Sequence, residues 1–333
     1  MNIGITNLTT FLPTMDTFNA HWQQSLAAYA PKVLIVRLPD NTSVARADFE
    51  GQRNTLQAQQ VAVQARLTDQ LIARGAIERQ KAALLEKFNQ FTSLLDGYYQ
   101  NTDFYAARPL APSQGFGQLT FSTPMFDALS LWDKINEGSA PVGVTLPLAL
   151  ADGTSQGAIA SLVSALQFAF ASERSKGQDV ILARSARDRI QAKAYHTMKA
   201  YREAVPGKLA QFPDLVETLP RLTPLPGHTP EAVNASAVLE GANQSRVVYD
   251  ASTDAMLEAY QLRGSGGDDY NDEDAVVIAT NAPDAPREFI TPFGLNQPGA
   301  RVALKVFVIL NTGNEAGSAA MFVERPLSVP LAA

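Results

Sequence analysis

Between Ser43 and Tyr99, and again between Ser155 and Val205, the chain contains no proline. Ala, Gln, Leu, Arg and Glu dominate both stretches, and all favour helix. In the first, Ile77, Leu84, Phe88, Phe91 and Leu95 step by 7, 4, 3 and 4, which keeps them on one helical face. Phe49, Leu56 and Val63 step by sevens, and Leu67 extends that face. In the second, Ile159, Leu162, Val163, Leu166 and Phe170 form one stripe, and Ile190, Ala194, Met198, Tyr201 and Val205 form another. A helix of about 50 residues runs about 75 Å and needs a partner along its length. Two stretches of similar length predict an antiparallel hairpin of long helices, 43–99 against 155–205. Gly75 is a possible kink in the first, and Gly177 interrupts the second.

Shorter elements surround these two. Phe18, Trp22, Leu26 and Tyr29 predict a short helix, capped at Thr14 or Asp16 and ended by Pro31. The connecting segment 101–153 is rich in proline and glycine, with a helix at 126–136 starting near Thr123-Pro124 and an extended stretch, VGVTLPLAL. Residues 213–230 carry five prolines and read as a semi-rigid linker. Beyond it the apolar period changes from 3.6 to 2. Seven short candidate strands follow, each separated by turn residues, which is the pattern of an all-β sandwich. VFVILNTGNEAGSAAMF (306–322) predicts a β-hairpin turning over Asn311–Ser318. The expected organisation is multidomain α plus β: a helical domain over 1–212, a linker over 213–229 and a sandwich over 230–326.

Residues 230–326 resemble a fibronectin type III domain. The likeness is carried by GLNQPGARVALKVFVILNTGNEAGSAAMFVERP, which is similar to that family's E–F corner, F strand, F–G hairpin and G strand. Leu295, Pro298 and Gly299 match the turn before strand F, and Tyr249 stands at the family's strand-B tryptophan. The corner tyrosine falls at Val302, so that hydrogen-bonded corner is missing. The full layout also resembles that of bacterial proteins pairing a helical region with such a domain. The resemblance implies a fold; its members serve as spacers, adhesive modules and assembly contacts.

Length and charge narrow the functional classes. The 333 residues suit two or three domains. A formal charge of −6 with no basic run argues against nucleic acid. The absence of cysteine removes disulfides, thiol catalysis and Cys-based metal sites. No apolar run approaches the roughly 20 residues that span a bilayer, and the first residues do not read as a secretory signal. The compartment stays open between cytoplasm and export by a route without a signal.

Candidate chemistry is sparse. GTSQG (153–157) fits G-x-S-x-G, with Ser155 as nucleophile and His196 or His228 and Asp188 as partners. The preferred reading is a helix cap at Thr154 or Ser155, because no parallel sheet precedes it. Asp268, Asp269, Asp272, Glu273 and Asp274 crowd one loop without EF-hand spacing, and read as a solvated surface rather than a calcium site. His21, His196 and His228 lack metal-ligand spacing and read as surface or helix-face residues. No catalytic residue, cofactor or metal is assigned. Aromatic side chains are the better interaction candidates: Tyr98, Tyr99, Phe104, Tyr105, Phe116, Phe121 and Trp132, set against packing of the hairpin tip.

The expectation is a non-enzymatic structural or interaction protein whose partner is itself, as homo-oligomer or filament, with no small-molecule ligand. The alternatives are an adhesive module on a helical stalk, with the acidic loop meeting its ligand, and a pore-forming protein.

Overall fold

The computed structural model describes residues 8–223, 227–267 and 269–326. Helix α1 (Leu8–Tyr29) leads through the two-residue strands β1 (Val36–Arg37) and β2 (Ser43–Val44) into α2 (Arg46–Tyr98). After α3 (Asp103–Ala106) come α4 (Gln118–Glu137), α5 (Gln156–Lys208) and α6 (Pro213–Glu217). The two long helices have 53 residues each and run unbroken through Gly75 and Gly177. A single glycine costs a helix only about 1 kcal/mol, which the packed residues on either side outweigh. Helix α4 starts six residues before Pro124 rather than at it, and α1 likewise carries Pro13 inside. In each, a fully buried phenylalanine upstream of the proline, Phe11 or Phe121, offsets the lost hydrogen bond.

Contacts divide the chain into two compact units, Met1–Leu71 with Gln178–Ala333, and Ile72–Gly177. Both long helices contribute to both. Each unit has a helical core, and the two cores are built alike. In the first, α1 and the start of α2 pack against the end of α5. In the second, α4 and the start of α5 pack against the end of α2. The buried residues correspond at a constant spacing of 110 positions: Phe11 and Phe121, Met15 and Met125, Trp22 and Trp132, Leu56 and Leu166, Leu95 and Val205. Pro31 and Pro141 keep the same spacing. Each tryptophan donates its indole N–H to a carbonyl of the extended segment that follows, Trp22 to Leu34 and Trp132 to Leu148, both at 3.2 Å. Each lies over an aromatic ring of the other long helix, Trp22 over Tyr201 at 4.5 Å and Trp132 over Phe91 at 4.8 Å.

The turns into the long helices repeat as well. Asp40-Asn41-Thr42-Ser43 corresponds to Asp152-Gly153-Thr154-Ser155. Asp40 accepts from the Thr42 N–H at 2.9 Å, and Asp152 from the Thr154 N–H at 3.0 Å. The turn needs positive φ at its second residue, and Asn41 (64°) and Gly153 (81°) supply it. The helical region is therefore two copies of one helix–turn–long-helix module.

The stretch read as a proline linker is ordered at its start. Pro213 opens α6, where its missing N–H costs nothing, and Leu215, Val216 and Leu219 pack on the first core. Residues 224–226 lie outside the described residues.

The seven expected strands are present: β3 (Ala235–Glu240), β4 (Gln244–Tyr249), β5 (Leu257–Gly266), β6 (Val276–Asn281), β7 (Glu288–Thr291), β8 (Arg301–Leu310) and β10 (Met321–Glu324). An eighth, β9 (Glu315–Gly317), divides the last hairpin. The turn after β8 thus closes by Asn314, and the chain pairs with β8 before pairing again through β10. All pairings are antiparallel. One sheet has the order β3-β4-β7; the other runs β10-β8-β5-β6 with β9 also on β8. The core between them holds Tyr249, Tyr260, Leu262, Phe289, Val302 and Val306. This strand order makes residues 233–324 a fibronectin III-like sandwich. Tyr249, at the position of that family's tryptophan, stacks on Phe289 at 5.2 Å, and Val302 is fully buried where the corner tyrosine is missing.

Candidate functional site

The acidic loop between β5 and β6 is where the sandwich meets the helices; Asp269, Asp272 and Glu273 are exposed, as the solvated reading expects, and Asp274 departs from it. Asp274 and Arg187 of α5 have side chains only 1% exposed and pair at 2.7 Å, with Arg184 on the second carboxylate oxygen. Arg187 also donates to the Glu273 carbonyl at 2.8 Å and to Asp188 at 2.9 Å. The Asp274 carbonyl accepts from Gln60 at 3.2 Å and Gln64 at 2.6 Å, both on α2. Burial works against the charge of Arg187, but its bonds to Asp274 and Asp188 more than compensate and hold its pKa above the ordinary value. Two arginines on one carboxylate make removal from water tolerable, which sequence spacing alone did not show. Asp274 is thereby committed within the chain, which argues against a calcium or ligand role for it. Asp268 lies outside the described residues. Among those described, no group of three His, Asp or Glu side chains converges as a metal site.

The histidines separate. His196 and His228 are exposed, and His228 pairs with Asp254. His21 is buried, contrary to the surface reading. Its Nε2 donates to the Leu215 carbonyl at 2.8 Å, so the proton sits there and Nδ1 faces the Tyr201 hydroxyl at 2.8 Å. Tyr201 donates to Ser25 at 3.0 Å. Burial pushes the Tyr201 phenol up to about 12, although the Ser25 bond pulls the other way. Ser155 accepts from the Ala158 N–H at 3.3 Å, the bond of a helix cap.

The aromatic candidates all belong to the Ile72–Gly177 unit. Tyr99, Phe121 and Trp132 are core residues, and Phe104 packs against that core. They are closed to a partner because they pack with Phe88, Phe91, Met125 and Leu131 in the interior of that unit. The Tyr99 hydroxyl is buried without a hydrogen-bond partner, and burial raises its pKa. Tyr105 is half-buried beneath Arg108, 5.1 Å from its ring centroid. Tyr98 and Phe116 remain exposed.

Two surfaces of this unit were not singled out by the sequence. One is the face beside the α4–α5 seam. Gln118 and Leu129 of α4 tie to Arg174 (2.9 Å) and Gln156 (3.3 Å) of α5. Just outside that seam on α4, seven residues apart, lie Leu119 (80% exposed) and Phe126 (45%). On α5, Phe168 is 76% exposed. Ser161, Ser164, Ala171 and Ser175 share its outer face, and all are exposed, small and uncharged. Periodicity marks the buried stripe of such helices, so an apolar residue off that stripe is the signal that would have found this face.

The other is a half-open cavity of about 890 Å³ between the end of α2 and residues 143–151. Glu86, Asn89, Gln90, Ser93 and Tyr98 line one wall; Val144, Thr145, Pro147 and Leu148 line the other. Gly143 takes φ of 87° and lies against the Tyr98 ring, where a Cβ would sit 3.7 Å from it.

No family model and no curated protein matches the chain. Solved structures resemble the C-terminal third. A Fn3-like protein from Clostridium thermocellum is 22% identical, with a TM-score of 0.23, covering 30% of this chain and 96% of its own. The Fn3 domain of human contactin 1 is 16% identical, with a TM-score of 0.25, and the match covers 33% of this chain and 87% of that domain. The FN1–FN3 domains of chicken CNTN1 are 16% identical, with a TM-score of 0.25, and the match covers 30% of this chain and 31% of theirs. The sandwich assignment rests on its own strand order and register.

Proposed function

We propose that the protein is a non-enzymatic structural protein that self-associates, and that the contact is the α4–α5 face of the Ile72–Gly177 unit. The observation that carries this reading is the exposure of Leu119, Phe126 and Phe168 beside a strip without charges. Exposed side chains of this size, grouped over two helices, favour burial against a partner. The face suits a second copy of itself. It offers a knob, Phe168, next to shallow positions at Ser164 and Ala171, with one charge of each sign, Asp133 and Arg174, exposed along the adjoining seam. Two helices about 27 Å long supply roughly 500–600 Å² per partner, near the lower size of specific interfaces.

The twin module supports this by contrast. At the position of Phe126 it has Asp16, paired with Arg53 at 2.8 Å, and at the position of Leu119 it has Thr9. Ser155 enters this reading as a cap. Light scattering across a concentration series, to about 1 mM, tests the proposal. The expected result is an oligomer that the triple substitution Leu119→Glu, Phe126→Glu, Phe168→Glu converts to monomer with an unchanged melting temperature. A wild-type monomer throughout would overturn it, as would an oligomer that the triple substitution leaves intact.

A further inference from the structure

We propose that the cavity beside Tyr98 is a binding site for a neutral saccharide of two or three sugar units. Its volume of about 890 Å³ lies within the usual range of ligand pockets. Its chemistry selects the ligand. No lysine, arginine or histidine lines it, so nothing there attracts a phosphate or carboxylate. Its one lining carboxylate, Glu86, already accepts from the Gln90 amide at 3.3 Å, which weakens the case for a cation. What remains is neutral: the amides of Asn89 and Gln90 and the hydroxyls of Ser93 and Thr145. Gln90 Oε1 is buried without a hydrogen-bond partner. A buried orphan acceptor costs about 1–3 kcal/mol, and because this atom is shielded from solvent, a sugar hydroxyl reaches it only when the Gln90 side chain turns toward the cavity. Tyr98 supplies the other half of such a site. Its ring is 53% exposed and held from one side by Gly143. It offers a flat apolar face with a polar edge, which suits the C–H face of a pyranose.

The twin module shows what the same position looks like without a cleft. There Tyr98 is replaced by Lys208, whose Nζ donates to the Ile35 carbonyl at 2.6 Å and so joins the long helix directly to the extended segment. Gln90 and Leu94 are replaced by Ala200 and Ala204, which pack on the first core. One copy closes the gap between helix and strand, and the other holds it open with hydrogen-bonding side chains.

Saturation-transfer NMR on the full chain tests this. The probes are cellobiose, maltose, lactose, chitobiose and their trisaccharides, with glucuronic acid and spermidine as charged controls, followed by calorimetry on any that respond. The expected result is at least one neutral saccharide binding with Kd below about 1 mM, weakened at least tenfold by Tyr98→Ala and by Gln90→Leu. Both variants should melt like the wild type, since Tyr98 is half exposed and Gln90→Leu keeps the volume. Three results would overturn the proposal: no response to any neutral saccharide, a response that survives both substitutions, or a response to the charged controls alone. The test is independent of self-association, because the α4–α5 face shares no residue with the cavity.

Discussion

The two helical cores are copies that have diverged at matched positions. In the first, His21, Ser25 and Tyr201 form a buried hydrogen-bonded set. In the second, the same three positions are Leu131, Ile135 and Phe91, all buried and all apolar. The changes go together, because a buried histidine without its hydroxyl partners would leave orphan polar atoms. The first core uses its polar set to reach the α6 carbonyl of Leu215, and its unit carries the sandwich on the Arg187–Asp274 pair. The second core has no such attachments among its described residues and shows an apolar face and an open cleft instead. One scaffold thus mounts the sandwich, and the other carries the face and the cleft for which contacts are proposed above.

This contrast can be broken or sharpened by experiment. The largest effect is expected from Asp274→Ala, which strands the buried Arg187 guanidinium. A loss of about 3–5 kcal/mol in denaturant titrations is expected. A loss below about 1 kcal/mol would mean that apolar contacts alone seat the sandwich. Next, Tyr201→Phe should cost about 1–3 kcal/mol by removing the nearest partner of His21 Nδ1 and leaving it only the longer contact to Ser25, at 3.4 Å. Copying the second core entirely, with His21→Leu, Ser25→Ile and Tyr201→Phe together, should recover part of that loss. A triple variant less stable than the single one would contradict the equivalence of the cores.

A third test uses pH. Tyr201 has a folded pKa raised from 10.0 to about 12, so its contribution is complete below pH 10 and is lost as pH rises towards 12. Stability measured from pH 9 to 12 should fall in the wild type, and less steeply in Tyr201→Phe. The smallest effect concerns the twin turns. The Thr42 N–H holds Asp40 below its ordinary pKa, whereas for Asp152 the Lys87 ammonium is the main cause, with Thr154 behind it. Lys87→Met should therefore raise the Asp152 pKa and leave Asp40 unchanged in carboxyl NMR titrations. Both carboxylates stabilise above the unfolded pKa, and the effect fades as pH falls through the lower folded value.

Much of the architecture was legible in the chain. Proline-free runs with apolar residues at helical spacing gave both long helices, and alternation gave seven of the eight sandwich strands among the described residues. The repeat was legible too and was missed. Met15, Trp22 and Pro31 recur as Met125, Trp132 and Pro141, but two residues inserted before Leu148 and removed after Ser155 disguise the match. The candidate sites were less readable. Trp132 and Phe121 have the composition of an interface and the burial of a core, and composition does not distinguish these.

By itself, then, the sequence determined which segments are helix and which are strand, because both follow from local periodicity and from where proline and glycine stand. Only the tertiary structure decided that Asp274 is buried, that His21 is internal, and that Tyr98 faces a cleft while Tyr99 faces the core. Those outcomes depend on partners far away in the chain, such as Arg187 at 87 positions from Asp274 and Tyr201 at 180 from His21. No local pattern encodes a contact whose two halves are assembled only when the long helices pair.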